Sequence, residues 1–364
     1  IGSRKWLAVS GYGLSALSKP FFYIAGSWGA VAAVRWADRI GKGIRTAPRD
    51  ALVADSVRKG RRGLAFGIHR AADSAGAVVG LLIALYLVSS IQPHEVELRA
   101  ATFRTLVLWS LIPAFLAVLA LAVGARDVPR PAASKEAGSQ DSEAQTSDSQ
   151  DLTPGSPANQ AEGSGRAGGR ARDHLGRPFW IFLGIVAIFE LGNSSDGFLV
   201  LRAQERGLGV TGVLAMLVAF NLVYSLVSAP AGHLSDRFDR RRFIVAGWLV
   251  YAALYASFAL AQSTAQVVVT FILYGAYYGL SYGTARALVA ELVPAEIRGT
   301  AYGLFNATVG ILSLPASLLA GLLWQGLGSW HGFGPAAPFW LGAGTALVAA
   351  VGLMVWRPAG PEPR

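Results

Sequence analysis

The chain of 364 residues contains no cysteine, which excludes disulfide frameworks, metal–thiolate sites and cysteine nucleophiles. It is also poor in charge, because only 15% of its residues are charged, against about 25% in an ordinary soluble domain. The sequence has no Gly-x-x-x-x-Gly-Lys-Ser/Thr phosphate loop and no spacing typical of a nucleophile–base pair or a metal site. These absences argue against an ATP-driven pump, an enzyme and a bound cofactor.

What the chain has instead is long apolar segments. Hydrophobic residues make up 53% of it, and its 43 glycines lie largely in apolar runs, where small residues let membrane helices approach closely. Ten segments have the length of roughly 20 residues that crosses a hydrocarbon layer. They are residues 6–26, 29–54, 63–91, 101–124, 178–201, 211–232, 243–261, 266–290, 299–327 and 336–356. The predicted fold class is an all-α membrane protein.

The composition changes sharply between the fourth and fifth segments. Residues 126–177 are rich in Ser, Gly, Gln, Asp and Glu and nearly free of large apolar side chains, so they cannot bury enough surface to offset the entropy of ordering. We therefore expect a disordered linker over residues 125–177. It separates an N-terminal helical bundle, residues 1–124, from a C-terminal bundle, residues 178–357, which is followed by a short tail, residues 358–364.

Positive charge is concentrated in two of the connections. Residues 58–62 and 237–242 are strongly basic, whereas the connections at 92–100, 263–264 and 328–335 carry few positive charges. The positive-inside rule then predicts that the basic connections, the linker and the tail are cytoplasmic, in a multi-pass protein of the cell inner membrane surrounded by lipid. The net charge of +10 is attributed to this topology, and no nucleic-acid partner is expected.

An internal repeat links the two halves. Ala51-Leu52-Val53-Ala54-Asp55 recurs as Ala287-Leu288-Val289-Ala290-Glu291, and Arg62-Gly63-Leu64-Ala65-Phe66-Gly67 recurs as Arg298-Gly299-Thr300-Ala301-Tyr302-Gly303. Subtracting 51 from 287 and 62 from 298 gives the same offset, 236. The shared offset indicates duplication, and a parallel repeat of two membrane halves is an architecture of transporters.

Two motifs resemble signatures of the major facilitator superfamily. The family's loop signature resembles the stretch Gly232-His233-Leu234-Ser235-Asp236-Arg237-Phe238-Asp239-Arg240-Arg241-Arg242. Asp239 stands at the position of the usual Gly. Arg39-Ile40-Gly41-Lys42-Gly43 is similar to its fourth-helix signature, and Ile1-Gly2-Ser3-Arg4-Lys5 to the tail of the loop signature. Arg45-Thr46-Ala47-Pro48-Arg49-Asp50-Ala51-Leu52 is similar to an uncharacterised bacterial branch of the family.

The resemblance implies a fold of twelve helices in two pseudo-symmetric bundles. The ten segments would then be helices 3–6 and 7–12, and the chain would lack the first two helices. The resemblance also implies a secondary transporter that works by alternating access, with no cofactor, and we expect it to act as a monomer.

Charged residues inside the second segment are candidates for substrate binding. Arg35, Asp38, Lys42, Arg45 and Arg49 step by three and four along the chain, which puts them on one helix face. Charge at membrane depth is costly, so this face should line a protein interior or a water-filled cavity. We expect Lys42, Arg45 and Arg49 to contact an anionic substrate. The alternative is permanent pairing with Asp38, Asp50 or Asp73.

Two carboxylates are candidates for proton coupling. Glu190 lies in the fifth segment without an arginine beside it, and an apolar surrounding favours the uncharged form of a carboxyl, so it can take up and release a proton. Asp73 lies in the third segment three residues after Arg70. It can serve in a proton relay or simply pair with that arginine.

Polar and aromatic side chains in the second half complete the predicted substrate site. Asn193 shares the side of Glu190, and Asn306 lies in the ninth segment. Tyr274 and Tyr278 belong to a stripe of tyrosines at four-residue spacing. Such a stripe either packs in the core or lines a cavity, where its rings would suit an organic solute.

The resemblance also implies a gate on the cytoplasmic side. Asp236, Arg240 and Glu291 match positions at which family members form a charge cluster, and Asp55 is the repeat equivalent of Glu291. Charge pairs that exist in one state and break in the other bias the equilibrium between states. The alternative is that these charges only set the topology.

The excess of Arg and Lys over Asp and Glu in the first-half segments favours a small organic anion as the transported solute. We expect proton coupling. Proton-coupled multidrug efflux is the alternative within transport, and a transport-inactive membrane sensor or a lipid translocator is the alternative from another class.

Overall fold

The computed structural model describes residues 4–92, 98–125 and 175–356, and these residues are almost entirely α-helical. The first half contains α1 Arg4–Ser18, α2 Phe21–Ile24, α3 Trp28–Asp55, α4 Arg62–Ile91 and α5 Ala100–Gly124. The second half contains α6 Arg177–Gly192, α7 Gly197–Glu205, α8 Val210–Arg237, α9 Arg240–Leu260, α10 Thr264–Leu292, α11 Arg298–Gln325 and α12 Ala337–Val355. The predicted all-α membrane class is confirmed.

Eight of the ten predicted membrane segments are continuous helices within a few residues of the expected bounds. Local sequence explains several of the helix starts. Ser27 accepts a hydrogen bond from the backbone N–H of Ala30 at the start of α3, and Ser263 forms a capping box with Gln266 at the start of α10. Within the described residues, seven helical stretches are long and apolar enough to cross a membrane by themselves.

Two of the predicted membrane segments contain a break in the helix. The first segment, 6–26, is divided between α1 and α2 at Lys19-Pro20, where proline has no N–H to continue the helix. The fifth segment, 178–201, is divided between α6 and α7 at residues 193–196. Ser195 there accepts a hydrogen bond from the backbone N–H of Gly197, a local contact that competes with a helix.

The predicted linker, 125–177, lies outside the described residues except at its ends, and the predicted tail, 358–364, lies wholly outside them. The division into two bundles by this linker therefore stays a prediction.

The core of the second half is aromatic. Phe189 stacks on Trp248 with ring centres 4.8 Å apart, and Tyr251 stacks on Tyr255 at 3.9 Å. These side chains are almost completely buried. Large leucines and isoleucines instead cover the outer surfaces of the helices, as expected for a protein whose surroundings are lipid.

The two halves pack against each other at the end of the molecule that carries the basic connections, which we call the basic end, residues 58–62 and 237–242. Here α4 of the first half packs along α8 of the second half. A Cβ atom built on Gly67 would lie 2.5 Å from the carbonyl oxygen of Ser228 and 3.2 Å from the Cα of Ala229. Glycine is therefore required for this close approach of two helices.

Candidate functional site

An ion pair between the halves lies at the centre of the candidate site. Arg286 of α10 donates from Nε to Asp50 Oδ2 of α3 at 2.9 Å. These two positions are 236 residues apart, which is the offset of the internal repeat. In a molecule with a pseudo-twofold axis, two equivalent positions can contact each other only near that axis. The pair therefore lies where the two halves meet.

Asp50 is surrounded by positive charge. Only 1% of its side chain is exposed, and Arg49 Nη2 donates to its second oxygen at 2.9 Å. The charge of Arg70, on α4, also acts on Asp50. A buried carboxylate is stable only when it is paired and hydrogen-bonded, and these arginines supply that pairing.

The position of Arg286 is fixed by its own half. Its Nη1 donates to the backbone oxygen of Tyr282 at 3.1 Å, and its guanidinium lies 5.5 Å from the ring centre of Tyr282 and 5.8 Å from that of Phe305. The Asn306 oxygen lies 3.5 Å from its Nη2. Aromatic faces attract a planar cation and help to hold it in an apolar surrounding.

Arg70 belongs to the same cationic cluster. Its guanidinium lies 6.0 Å from the ring centre of Tyr282, the ring that Arg286 also contacts. It pairs with Asp73 at 3.4 Å, a long contact, and its Nε is buried without a hydrogen-bond partner among the described residues. We call Arg49, Arg70 and Arg286 the arginine cluster.

A narrow cavity extends from Arg286 into the second half. It has about 40 Å³ of free volume, and its walls include Glu190, Trp248, Tyr277 and Tyr282. This volume holds a few water molecules, whereas sites for organic ligands are typically ~300–1,000 Å³. In this conformation the cavity is therefore too small for an organic solute.

Glu190 is buried at the wall of this cavity, with 6% of the residue exposed. Asn193 donates from Nδ2 to Glu190 Oε2 at 2.9 Å, and Tyr251 donates to the Asn193 oxygen at 3.4 Å. Since Asn193 directly follows the last turn of α6, the break between α6 and α7 is what brings its amide onto Glu190. The carboxyl faces the same cavity as the guanidinium of Arg286.

A second acidic position lies in the break itself. Asp196 accepts hydrogen bonds from the hydroxyl groups of Tyr274 at 3.2 Å and Tyr278 at 3.0 Å. The residue is exposed. Both hydroxyls of the predicted tyrosine pair bind this carboxylate, and Tyr274 is fully buried, in agreement with the packing alternative; contact of these tyrosines with a substrate stays a prediction.

The predicted gate residues come together at the basic end. Asp236 of α8 accepts hydrogen bonds from the backbone N–H groups of Gly63 at 2.7 Å and Leu64 at 2.8 Å, at the start of α4. Arg240 pairs with Asp236 and, at 2.8 Å, with Glu291. A carboxylate at a helix N-terminus is stabilised by the free N–H groups and the helix dipole, so Asp236 joins the two halves.

Two repeat-related arginines strengthen the same end. Arg62 donates to the backbone oxygens of Ala54 at 3.3 Å and Ala290 at 3.0 Å. Arg298 donates to the backbone oxygen of Ala290 at 3.3 Å and pairs with Asp55 across the halves. The carbonyl oxygen of Ala290, in the last turn of α10, thus accepts from one arginine of each half.

The three side chains of α3 that were predicted to contact an anion have different partners in the structure. Lys42 is half-exposed and pairs with Asp38 at 3.5 Å, and the guanidinium of Arg45 stacks on the ring of Tyr12 at 3.9 Å. Of the three, Arg49 belongs to the arginine cluster. Lys42 thus has the partner that the alternative interpretation named.

Among the remaining candidates, Asn306 lies beside Arg286, as described above. Asp73 is half-exposed and pairs with Arg70 and, at 3.8 Å, with His69, which is the simple ion pair that the sequence left open. Sequence reasoning missed Arg286 and Asp50 as site residues. The repeat offset could have identified them, because it relates one buried cation and one buried anion.

Comparison with known proteins places these features in a family. The model of the Major Facilitator Superfamily matches residues 1–218 and 180–364, and so the whole chain. The chain is 31% identical over 331 residues to an uncharacterized MFS-type transporter of Methanocaldococcus jannaschii, covering 89% of this chain and 73% of the relative.

Solved structures share the fold. The proton:xylose symporter XylE, bound to 6-bromo-6-deoxy-D-glucose, matches with a TM-score of 0.67 and 17% identity, over 96% of this chain and 78% of that one. The human organic anion transporter MFSD10 matches with a TM-score of 0.62 and 14% identity, over 96% and 77%. The protein belongs to the Major Facilitator Superfamily and is a multi-pass membrane transporter.

Proposed function

We propose that this protein is a secondary transporter that moves a small organic anion by alternating access, coupled to protons. The arginine cluster is the observation that supports an anion. Arg49, Arg70 and Arg286 surround one buried carboxylate, Asp50, and the next nearest carboxylate, Asp73, is half-exposed. Excess positive charge in a buried interface favours a ligand that brings negative charge.

Proton coupling is assigned to Glu190. It is a buried carboxyl with one amide partner and it shares a cavity with Arg286. When the halves separate and Arg286 loses Asp50, a protonated Glu190 leaves the positive charge of Arg286 free to favour the anion. When Glu190 releases the proton, its charge neutralises Arg286 and disfavours the anion. Binding of proton and anion would therefore be linked through one cation.

The contacts at the basic end support a gate made of Asp55, Asp236, Arg240 and Glu291. Asp236 and Asp55 bind across the halves, through the backbone of Gly63 and Leu64 and through Arg298, so separation of the halves must break these contacts. Arg240 joins Asp236 to Glu291 within the second half. We place this end in the cytoplasm of a cell whose inner membrane the protein spans, and we propose a monomer whose two bundles, 1–124 and 178–357, rock against each other.

The structural relatives include a proton symporter and an organic anion transporter. At 17% and 14% identity they support the fold alone. The proposal for this chain depends on its own arginines and on Glu190.

The test is transport by the purified protein in proteoliposomes. Uptake and efflux of organic acids, sugars and organic amines are measured with and without a pH gradient, and wild type is compared with Glu190→Gln. We expect accumulation of an organic acid that the gradient drives and that Glu190→Gln abolishes. Gradient-driven movement of amines with no effect of organic acids would overturn the proposal.

Proton-coupled drug efflux is the second candidate, and one observation favours it. Asp196 is exposed and accepts a hydrogen bond from the Tyr278 hydroxyl, and a carboxylate next to aromatic rings suits an organic cation. The same panel separates the candidates, because Asp196→Asn should abolish movement of amines if efflux is correct and should leave uptake of organic acids intact if anion transport is correct.

A further inference from the structure

We propose that Asp50 is a built-in competitor of the substrate, and that an organic carboxylate with an apolar body takes its place on Arg286, and also binds Arg70, when the halves separate. This inference deepens the proposed function and rests on it, since it specifies where the anion binds and which class of anion the site accepts.

The first observation is that the Asp50–Arg286 pair joins two bodies. Asp50 lies on α3, and both its oxygens are occupied by arginines. When α3 moves away from α10, Arg286 keeps its contacts with Tyr282 and Phe305, which belong to its own half, but it loses its carboxylate. A buried cation left without a counter-charge is costly, so the open state favours any carboxylate that can reach it.

The second observation is an unused donor. The Nε of Arg70 is buried without a partner among the described residues, and its only ion pair, with Asp73, is long and half-exposed. Buried donors without acceptors are rare in stable structures. Arg70 of α4 and Arg286 of α10 face the same Tyr282 ring from opposite halves, so a carboxylate that enters between the halves can accept from one arginine of each half.

The third observation concerns the body of the ligand. The cavity that leads away from Arg286 has walls of Phe189, Trp248, Tyr277 and Phe305. These rings favour an apolar or aromatic group. At about 40 Å³ the cavity cannot hold such a group while the halves are packed, so binding requires the same separation that removes Asp50.

Two consequences follow by linkage. An anion that binds only where Asp50 has left shifts the population toward the open basic end. Removal of the Asp50 charge should also increase the affinity for the anion, because the competitor is gone. Any variant that opens the basic end should also increase the affinity for the anion in part. A control variant that opens this end without removing Asp50 is therefore needed.

Asp55→Asn is that control. Asp55 also joins the halves, through its ion pair with Arg298, which is not a member of the arginine cluster. The probe is benzoate, with acetate as a carboxylate without a body and benzylamine as a cation of similar shape. Binding to the detergent-solubilised protein is measured as the concentration that gives a half-maximal shift of the thermal unfolding midpoint.

We expect Asp50→Asn to bind benzoate at least ~10-fold more tightly than Asp55→Asn does, which is about 1.4 kcal/mol. Arg286→Gln and Arg70→Gln should each weaken benzoate binding at least ~10-fold, acetate should bind more weakly than benzoate, and benzylamine should not bind the cluster. Equal benzoate affinity of Asp50→Asn and Asp55→Asn would overturn the inference.

Loss of Asp50 removes one partner of a buried pair, so Asp50→Asn can fail to fold. Arg70→Gln then decides, because Arg70 does not donate to Asp50. Unchanged benzoate affinity of a folded Arg70→Gln protein would overturn the inference. The proposed function is tested separately. It fails if the wild-type protein transports no organic acid in vesicles, even when benzoate binding follows the expected order.

Discussion

Asp236→Asn should open the basic end while leaving the protein folded. The Asp236 side chain is 5% exposed and accepts from two backbone N–H groups of the opposite half, at 2.7 and 2.8 Å, as well as from Arg240. Asparagine has nearly the same shape, but its amide can accept through one atom only and carries no charge. One N–H at the start of α4 therefore loses its acceptor, and Arg240 loses one of its two carboxylate partners and keeps Glu291.

The size of the effect follows from these contacts. A hydrogen bond to a charged group contributes about 1.5–3 kcal/mol, and a carboxylate at a helix N-terminus contributes roughly 0.3–1 kcal/mol through the dipole. Asparagine retains part of one contact, so we expect a loss of about 2–4 kcal/mol from the closed state. The ratio of closed to open molecules should fall roughly 30- to 700-fold.

The assay is thiol labelling. Because the chain has no cysteine, Ala54→Cys introduces a single reporter at a position that is completely buried between the halves. Its labelling rate by a water-soluble maleimide should rise in proportion to the open fraction. Asp239→Asn is the matched control, since Asp239 lies in the same connection but pairs with Arg241 inside its own half. Equal labelling rates in the two variants would refute the role of Asp236 as a gate.

Three further predictions concern other parts of the molecule. Glu190→Gln should leave the protein folded but make uptake of an organic acid independent of a pH gradient, as measured in proteoliposomes. Gly67→Ala should destabilise the packing of α4 on α8 by about 1–3 kcal/mol. Gly76→Ala is the control and should leave the stability unchanged, because its Cβ would meet no atom within 4 Å. The thermal unfolding midpoints of the two variants are compared. The hydrogen bond from Arg241 lowers the pKa of Asp239 below its ordinary value, so Asp239→Asn should lower the unfolding midpoint at neutral pH, and this difference should vanish as the pH falls through the lowered pKa.

The sequence predicted the helices well because crossing a membrane requires long apolar segments, and these are visible without knowledge of their partners. It did not give the helix break at residues 193–196, where the polar run Asn193-Ser194-Ser195-Asp196 and the hydrogen bond from the Gly197 N–H to Ser195 divide the fifth segment into α6 and α7. Averaged over the segment, the hydropathy is still high enough for a membrane crossing, so it does not show where the helix breaks.

The site was harder to predict, because it depends on contacts between the halves. Lys42 and Arg45 lie on the predicted helix face, yet each finds a partner in its own half, Asp38 and Tyr12. Only the tertiary arrangement reveals that Arg286 reaches Asp50. The repeat offset of 236 contained this information, since equivalent positions near a pseudo-twofold axis are the ones that can touch.

Cross-linking the basic end tests the central claim, that transport requires the two halves to separate there. Ala54 and Ala290 are repeat equivalents whose carbonyl oxygens both accept from Arg62, so cysteines at these two positions can be joined by a short, reducible bifunctional thiol reagent. The account predicts that the joined protein transports no substrate in proteoliposomes, that reduction restores transport, and that neither single cysteine variant is affected by the reagent. Full transport by the joined protein would contradict it.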